Sequence, residues 1–515
     1  MKRALVLILL SLLLVITACS KPDTKAQGGM EVPKDLIVAL NNEPRTLDPQ
    51  NGADSNALNI LDLIYDKLVN FDKDMKIVPQ LAKEWKTSDD GMKLTFTLKE
   101  GVVFQDGSPF NAEAVKMSFE RVLNKDNKLS NYSTFGEFID HVTADSANQL
   151  TFHFKFPFGA ALASFAHQAA YIISPKAIQE DSKGLGKNPI GTGPYKFVSW
   201  TPGDKVVLEQ NPNYWGDKQK TKSFTFINVP EDSARSIKLE NGEADIITPV
   251  PVADIERLKT SDKIKLNVSP SNLILYMGIN TTNAPFNNPK VRQALNYAVD
   301  KETIAKKVTS GASRPVESAI ADTVWGHSKV GQYPFDPAKA KQLLAEAGVK
   351  EGSTIRIWTP DGRYFKDKQI AEFIQANLAA VGFNVTFQKW EWASYLSALS
   401  DPSKKKDFDL FLIGWITNTN DADWAVRPIF KSGMSKDNNG EFSNAEVDDL
   451  IEKGMKSIKE DERKAYYKKL QEVLKDQAPW IFLVQMDTVS ANQSKVEGVY
   501  GKFNNTLNLR GITKK

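Results

Sequence analysis

The sequence is poor in the residues that most often build disulfides and metal sites. Its 515 residues include one cysteine and four histidines. A single cysteine leaves no intramolecular disulfide to hold the fold together. No two of the histidines are four residues apart and none lies near the cysteine, so a metal site built on histidine and cysteine is not predicted; they are His141, His153, His167 and His327. A metal-ion site made only of carboxylates remains an alternative.

The sequence also lacks a strong excess of either charge. Its formal net charge is +3, whereas a nucleic-acid-binding protein carries a marked basic excess. We interpret lysine-rich pieces such as Lys404 to Lys406 as solvated surface. No G-x-S-x-G motif, dinucleotide fingerprint or lysine-containing phosphate loop is present. The sequence therefore predicts neither an enzyme nor a cofactor.

The apolar run at the start of the chain is too short to cross a bilayer. It extends from Ala4 to Ile16, about 13 residues where a span needs about 20, and it follows the positive pair Lys2-Arg3, as in a signal peptide. The run ends in Ile16-Thr17-Ala18-Cys19, which resembles a bacterial lipobox. In such signals the peptidase cuts before the cysteine, whose sulfur then carries a lipid. We expect residues 1–18 to be a signal peptide, Cys19 to hold the protein on a membrane surface, and 19–31 to be a tether.

The length and patterning indicate an α/β protein with more than one domain. A chain of this length is too long for a single core. Short apolar runs such as Leu36–Leu40 predict strands, and they alternate with helical patterns. Asn111 is a candidate cap for a helix over Ala112–Leu123, and Ser443 with Glu446 form a candidate capping box.

The stretch from Asp409 to Phe430 has the pattern of a ligand site. Its apolar run, Leu410 to Ile413, predicts a buried strand, a polar loop follows, and Asp423 is a candidate N-cap for the next helix. Strand, polar loop and helix is how α/β proteins present a site at the carboxyl end of a sheet. The tryptophans beside the loop, Trp415 and Trp424, favour a pocket over a solvated turn. A general acid/base pair at Asp421 and Asp423 is the less favoured interpretation, because a cap and a ligand contact fit their spacing better.

Motifs spread along the chain resemble the family 5 solute-binding proteins of ABC importers for peptides and nickel. They are Asn42-Glu-Pro with Leu47-Asp-Pro49, Leu81-Ala-Lys-Glu-Trp85, Phe104-Gln-Asp-Gly-Ser-Pro-Phe-Asn111, Gly191-Thr-Gly-Pro-Tyr195, Asn211-Pro-Asn-Tyr-Trp215, the run from Phe286 to Ala298, and Gly414-Trp415. The resemblance implies a two-lobed periplasmic-binding-protein-like (type II) fold with an extra domain in lobe one. It implies lobe one at 32–277, with the extra domain at 67–189, lobe two at 278–484, and a C-terminal return to lobe one at 485–515. The lobes would close over the ligand about a hinge.

The resemblance also bears on the ligand. In the dipeptide and oligopeptide members, the loop after Gly-Trp carries an aspartate that pairs with the peptide amine, and the position that aligns with it here is Asn418. An amide cannot form the same charge-assisted bond, so Asp421 or Asp423 would have to replace it. The run Ala422-Asp-Trp-Ala with Arg427-Pro resembles instead the glutathione-binding branch, which also lacks that aspartate.

A carboxylate ligand needs a cation in the site. Arg363 lies near the segment where dipeptide binders place a carboxylate-binding arginine, and an arginine fork suits a carboxylate. Lys366 or Lys368 would be a substitute, and a surface role for Arg363 stays open. Trp390 and Trp392 are candidate walls, with core packing as the alternative.

The implied function is that of an extracytoplasmic, lipid-anchored solute-binding protein, expected to be a monomer without a cofactor. It would capture glutathione or short peptides and deliver them to the transmembrane subunits of an ABC permease. Three alternatives remain: a binder of a nickel chelate or another small solute, a surface-anchored hydrolase, and a receptor that presents signalling peptides.

Overall fold

One mixed sheet of eleven strands runs through the described part of the protein, which comprises residues 34–433 and 437–515 of a computed structural model. The signal-peptide, Cys19 and tether predictions fall on residues 1–33 and lie outside it. In chain order the strands are β1 (Lys34–Leu40), β2 (Val69–Phe71), β3 (Ile77–Pro79), β4 (Ala82–Thr87), β5 (Lys93–Leu98), β6 (Ile139–Ser146), β7 (Gln149–Phe154), β8 (Tyr195–Thr201), β9 (Lys205–Gln210), β10 (Thr221–Asn228), β11 (Ile246–Thr248), β12 (Ile264–Ile279), β13 (Ser313–Pro315), β14 (Thr354–Pro360), β15 (Asn384–Trp390), β16 (Leu410–Ile416), β17 (Trp480–Gln493), β18 (Val496–Glu497), β19 (Tyr500–Gly501), β20 (Leu507–Asn508) and β21 (Thr513–Lys514).

Two long strands, β12 and β17, connect the halves of this sheet. The strand order is β15-β14-β16-β12-β17-β11-β1-β10-β9-β8, with β13 paired to β17. The first part of β12 pairs only with β17, and the segment Leu273–Ile279 also pairs with β16. The register between β12 and β17 is interrupted between Pro270 and Ile274. The chain therefore crosses from one half of the sheet to the other at this interruption.

Helices cover both halves, and most begin with a side chain that accepts a hydrogen bond from an amide of the first turn. They are α1 (Ser55–Ile64), α2 (Ala112–Leu123), α3 (Tyr132–Gly136), α4 (Ala161–Ser164), α5 (Pro175–Asp181), α6 (Asp232–Glu240), α7 (Ile255–Lys259), α8 (Pro289–Ala298), α9 (Lys301–Thr303), α10 (Pro337–Glu346), α11 (Asp367–Ala380), α12 (Trp392–Ser400), α13 (Ala422–Phe430), α14 (Ala445–Lys456) and α15 (Glu460–Gln477). Asn111 caps α2 by accepting from the Ala114 amide at 2.9 Å, because its side chain satisfies one of the amides that lack a partner inside the helix.

Two helix caps lie elsewhere than predicted. Asn444, rather than Ser443, accepts from the Val447 amide and caps α14. Asp421, rather than Asp423, caps α13, so Asp423 lies in the first turn. Asn444 follows its predicted cap and Asp421 precedes its predicted cap by two residues, and both have the extended backbone that a cap requires.

A separate four-stranded sheet, in the order β4-β5-β7-β6, has its own core. Buried phenylalanines dominate this core, with edge-to-face ring contacts such as that of Phe119 with Phe152 at 4.8 Å between centroids. The two halves of the large sheet are covered by other clusters, one around Leu36 and Phe224 and one around Leu275 and Ile357. Each region therefore has its own hydrophobic core. The residue limits predicted for the lobes stay predictions.

None of the helices described between Lys34 and Lys515 has both the length and the apolar content needed to cross a bilayer.

Candidate ligand-binding site

A cleft of about 1210 Å³ lies between the two halves of the large sheet. One wall comes from the segments 41–59 and 231–254, which precede β12, and the other from the segments 361–369, 391–396 and 414–416, which follow it. Residues 486–489 of the crossing strand β17 also line it. A concave space between two bodies of a protein is the usual place for a small-molecule site.

Arg363 lines the cleft and makes no ion pair with any carboxylate of the described residues. Its guanidinium carbon lies 4.9 Å from the centre of the Trp392 ring and 5.3 Å from that of Tyr364. Its Nε is buried without a hydrogen-bond partner. A buried guanidinium nitrogen left unpaired costs free energy, so Arg363 is a cation of the cleft whose hydrogen-bonding capacity is not filled by the described chain.

The loop that carries Arg363 is held by Asp367, a residue that the sequence analysis did not single out. Its carboxylate is 3% exposed and accepts from the amides of Gly362, Arg363, Tyr364 and Lys368 at 2.8 to 3.2 Å. Burial raises the pKa of Asp367, against the effect of these hydrogen bonds. The signal was present as an aspartate that ends a glycine-containing turn and begins a helix, but the pattern does not show that four amides converge on it.

The two predicted aromatic walls occupy different places. Trp392 lines the cleft and meets Tyr364 edge to face, with 5.8 Å between ring centres. Trp390 does not line the cleft; its ring packs 4.8 Å from that of Trp358, at the edge of the core that includes Phe408 and Phe411. For Trp390 the geometry therefore favours the packing alternative.

Trp415 is turned away from the cleft. Its neighbours Gly414 and Ile416 line the cleft, and successive side chains of a strand point to opposite faces. The indole nitrogen of Trp415 donates to the Trp424 carbonyl at 3.0 Å, and the two rings stack 6.2 Å apart. The pair stabilises the loop between β16 and α13 from behind.

Asn418 lines a second, smaller chamber of about 430 Å³. Its side chain makes no hydrogen bond to the residues that the structure describes. The backbone amide of Asn418 donates to the Ile416 carbonyl at 3.0 Å. Arg363 and Asn418, the two predicted contacts for the ends of a ligand, thus lie in neighbouring spaces.

The carboxylates of Asp421 and Asp423 each form a buried ion pair with an arginine. The carboxylate of Asp421 accepts from Arg463 at 2.7 and 3.0 Å, and that of Asp423 from Arg427 at 2.8 to 3.0 Å. All four side chains are buried, and Arg427 also pairs with Glu137. This geometry argues against either aspartate as a substitute anchor for a ligand amine, because a buried carboxylate is held where its cation is.

The cleft offers several further cations. Arg45 lines one wall, and Lys366 and Lys368 line the other. Lys368 lies 3.9 Å from Glu372, a distance typical of a weak surface pair. Within residues 34–433 and 437–515, no histidine lines either space, and no group of three or more histidine, cysteine or acidic side chains is placed to hold a metal ion.

The fold and cleft are those of a two-lobed α/β solute-binding protein with an extra domain. Residues 76–437 match the family described as "Bacterial extracellular solute-binding proteins, family 5 Middle". The chain belongs to this family, and it is the solute-binding component of an ABC importer.

Curated relatives and solved structures agree with this assignment. The glutathione-binding protein GsiB of Pectobacterium atrosepticum is 36% identical over 472 residues, which cover 91% of each chain. GsiB of Escherichia coli O157:H7 is 32% identical over 91% of this chain and 92% of its own. DppA of Helicobacter pylori, solved in complex with the peptide STSA, has a TM-score of 0.83 at 27% identity, over 94% of this chain and 98% of its own. NikZ of Campylobacter jejuni, solved with Ni(L-His), has a TM-score of 0.82 at 26% identity, over 92% and 98% of the two chains.

Proposed function

We propose that the cleft binds glutathione or a short peptide of similar size and that the lobes close over it. The observation that carries this proposal is Arg363, which is stacked on Trp392 and has no carboxylate partner in the described chain. An arginine held in place by aromatic rings loses little freedom when it binds a carboxylate bidentately. The likeness to glutathione-binding relatives supports the same ligand class.

The residue at position 418 favours glutathione over a simple dipeptide. At the position where peptide-binding members carry an aspartate, this chain has Asn418, which cannot form a charge-assisted bond to an amine. The cleft walls carry charges of both signs, since Arg45 and Lys366 lie among acids such as Asp232. The preference for glutathione, which has two carboxylates and one amine, therefore rests on Asn418 and on Arg363, which has no ion pair within the described residues, not on the net charge of the cleft.

The nickel-chelate and hydrolase alternatives have less support. Neither space is lined by a histidine of the described residues. The buried aspartates that might have served as an acid/base pair are neutralised by arginines. We infer that the protein binds its ligand and releases it intact to a permease.

The anchor belongs to the same proposal. Cys19 follows a signal-like apolar run, and a lipid on its sulfur would keep the binding protein at the membrane beside its permease. Mass spectrometry of the mature N-terminus tests this. The mature protein is expected to begin at Cys19 with an added lipid mass, and a mature N-terminus without that mass would contradict the anchor.

Calorimetric titration of protein freed of ligand by unfolding and refolding tests the ligand. We expect reduced glutathione to bind with micromolar or tighter affinity and simple dipeptides to bind at least about ten-fold more weakly. Dipeptide binding with no response to glutathione would overturn the ligand assignment and leave the family intact. Recovery of unchanged glutathione after long incubation is the result expected of a binding protein.

A further inference from the structure

The chamber that Asn418 lines is formed by separate segments of the chain. Its volume is about 430 Å³. Lys67 lines it from the segment after α1, Thr323 and Asn418 line it from the region that follows β12, and Lys502 lines it from the C-terminal segment. Helix α1 contributes to both spaces, since Leu58 lines the chamber and the next residue, Asn59, lines the cleft.

Lys67 is a buried cation of this chamber without a counter-ion. Its side chain is 6% exposed. Its Nζ donates to the Ala166 carbonyl at 2.7 Å and lies 5.3 Å from the centre of the Tyr171 ring. An ammonium has three donors, and none of those of Lys67 reaches a carboxylate in the described structure. A buried ammonium is stable only when such donors are filled, so the chamber is suited to a carboxylate.

The nearest acid, Asp62, is already neutralised. Its carboxylate accepts from Lys502 and from Tyr171 at 2.7 and 2.9 Å, and Arg510 lies 3.6 Å away. Asp72 also lines the chamber and makes no ion pair within the described residues; one of its oxygens accepts from the backbone amides of Asp74 and Lys76. The chamber thus has an ammonium and a carboxylate that form no ion pair within the described residues, together with the neutral amide of Asn418. Its other charged side chains are Asp62, Lys73, Lys502 and Arg510.

One short segment of the chain lines both spaces. Gly414 and Ile416 line the cleft, and Asn418 lines the chamber. At about 3.3 Å per extended residue, Gly414 and Asn418 are at most about 13 Å apart. An extended tripeptide is about 10 Å long, and a side-chain linkage lengthens it further.

We propose that this chamber binds the head of a γ-glutamyl ligand, an α-amino acid group that carries both a free carboxylate and a free amine. Lys67 takes the carboxylate, Asp72 takes the amine, and Asn418 completes the site. The inference rests on the proposed function, and it places the glycine end of the ligand at Arg363.

The chemistry explains why an amide is useful at position 418. An ordinary peptide has no carboxylate on the carbon that bears its free amine, because its α-carboxyl is part of the peptide bond. An α-linked glutamate keeps only its side-chain carboxylate, two methylenes further from the amine. A γ-linked glutamate keeps its α-carboxyl free. The Asn418 amide can donate to that carboxylate and accept from the amine, whereas an aspartate can only accept.

The test compares two ligands of identical composition, γ-Glu-Cys-Gly and α-Glu-Cys-Gly, by calorimetry with the wild-type protein. We expect the γ isomer to bind at least about ten-fold more tightly. Equal affinity would overturn the chamber assignment and leave the proposed function in place. No binding of either isomer would overturn both. This comparison needs no variant and so does not depend on how a variant folds.

Two lysine variants test whether Lys67 causes the preference for the γ isomer. Lys67→Met is expected to weaken γ-isomer binding at least about ten-fold and to remove most of the difference between the isomers. Lys301→Met is the matched control, because Lys301 is 5% exposed and donates only to the carbonyls of Asn296 and Tyr333, away from both spaces. A preference that survives Lys67→Met, or one that Lys301→Met abolishes to the same extent, would overturn the assignment.

Discussion

Arginines on the two sides of β16 have opposite surroundings. Behind the loop that follows the strand, Arg427 and Arg463 are buried against Asp423 and Asp421. In front of the strand, Arg363 lines the cleft between aromatic rings without a carboxylate. The comparison separates cations that are paired inside the fold from one that we propose for the ligand, and it predicts which substitutions change stability and which change binding.

The largest expected effect is on stability. Arg463→Met leaves the Asp421 carboxylate buried without its cation, and breaking a buried pair in this way costs about 3–5 kcal/mol of unfolding free energy. Denaturant unfolding of the ligand-free protein measures it. The control is Arg257→Met, which breaks exposed pairs with Glu240 and Asp254 and is expected to cost under about 1 kcal/mol. An Arg463→Met protein that keeps its stability and loses only ligand affinity would contradict the structural role of Arg463.

The next effect is on binding. Arg363→Met removes a charge-assisted hydrogen bond of about 1.5–3 kcal/mol, and is therefore expected to weaken glutathione binding about ten- to a hundred-fold. The unfolding free energy of the ligand-free protein is expected to stay the same or rise, because an unpaired buried nitrogen is removed. Unchanged affinity would take Arg363 out of the site.

The pH dependence of binding extends the comparison to lysines. Burial lowers the pKa of Lys67 to about 7. Asp62 and Asp66 near the end of α1 raise this pKa, while Lys502 and Arg510 of the C-terminal segment lower it. His167 also faces Lys67, but burial lowers its pKa to about 3, so it stays neutral.

A ligand carboxylate stabilises the charged form of Lys67 and so raises its pKa on binding. Affinity is therefore expected to be highest below pH 7 and to fall by up to about ten-fold per pH unit above it, with uptake of a proton on binding near neutral pH. Calorimetry in buffers of different ionisation enthalpy measures the uptake. S-methyl glutathione removes the titration of the thiol, and Lys67→Met is expected to abolish the proton uptake. Uptake that persists in this variant would contradict the assignment.

The smallest expected effect is a difference in ligand affinity between substitutions of Trp392 and of Trp390. Trp392→Leu removes one ring from Arg363 and is expected to cost about 0.5–1 kcal/mol of binding free energy, a few-fold in affinity. Trp390→Leu is expected to leave affinity unchanged and to lower the unfolding free energy, since Trp390 packs on Trp358. Weaker binding by Trp390→Leu together with unchanged binding by Trp392→Leu would contradict this assignment.

Much of the fold follows from local pattern. The cap of α2 at Asn111 lies where the sequence predicts it, because a cap depends on residues a few positions apart. The apolar runs from Leu36 to Leu40 and from Leu410 to Ile413 lie within β1 and β16 for the same reason. The caps of α13 and α14 are displaced from the prediction, since two neighbouring polar residues offer equivalent side chains and the backbone decides between them.

The sequence by itself determined the α/β character, the absence of disulfides and, through its motifs, the family. Only the tertiary structure decided which charges are free. Asp421 meets Arg463 across 42 residues and Asp62 meets Lys502 across 440, and no local pattern encodes such pairs. Since a buried charge is stable only beside its partner, only the folded chain shows that Arg363 and Lys67 lack a carboxylate partner among the described residues. The sequence already makes Arg363 a candidate, whereas Lys67 becomes one only in the fold.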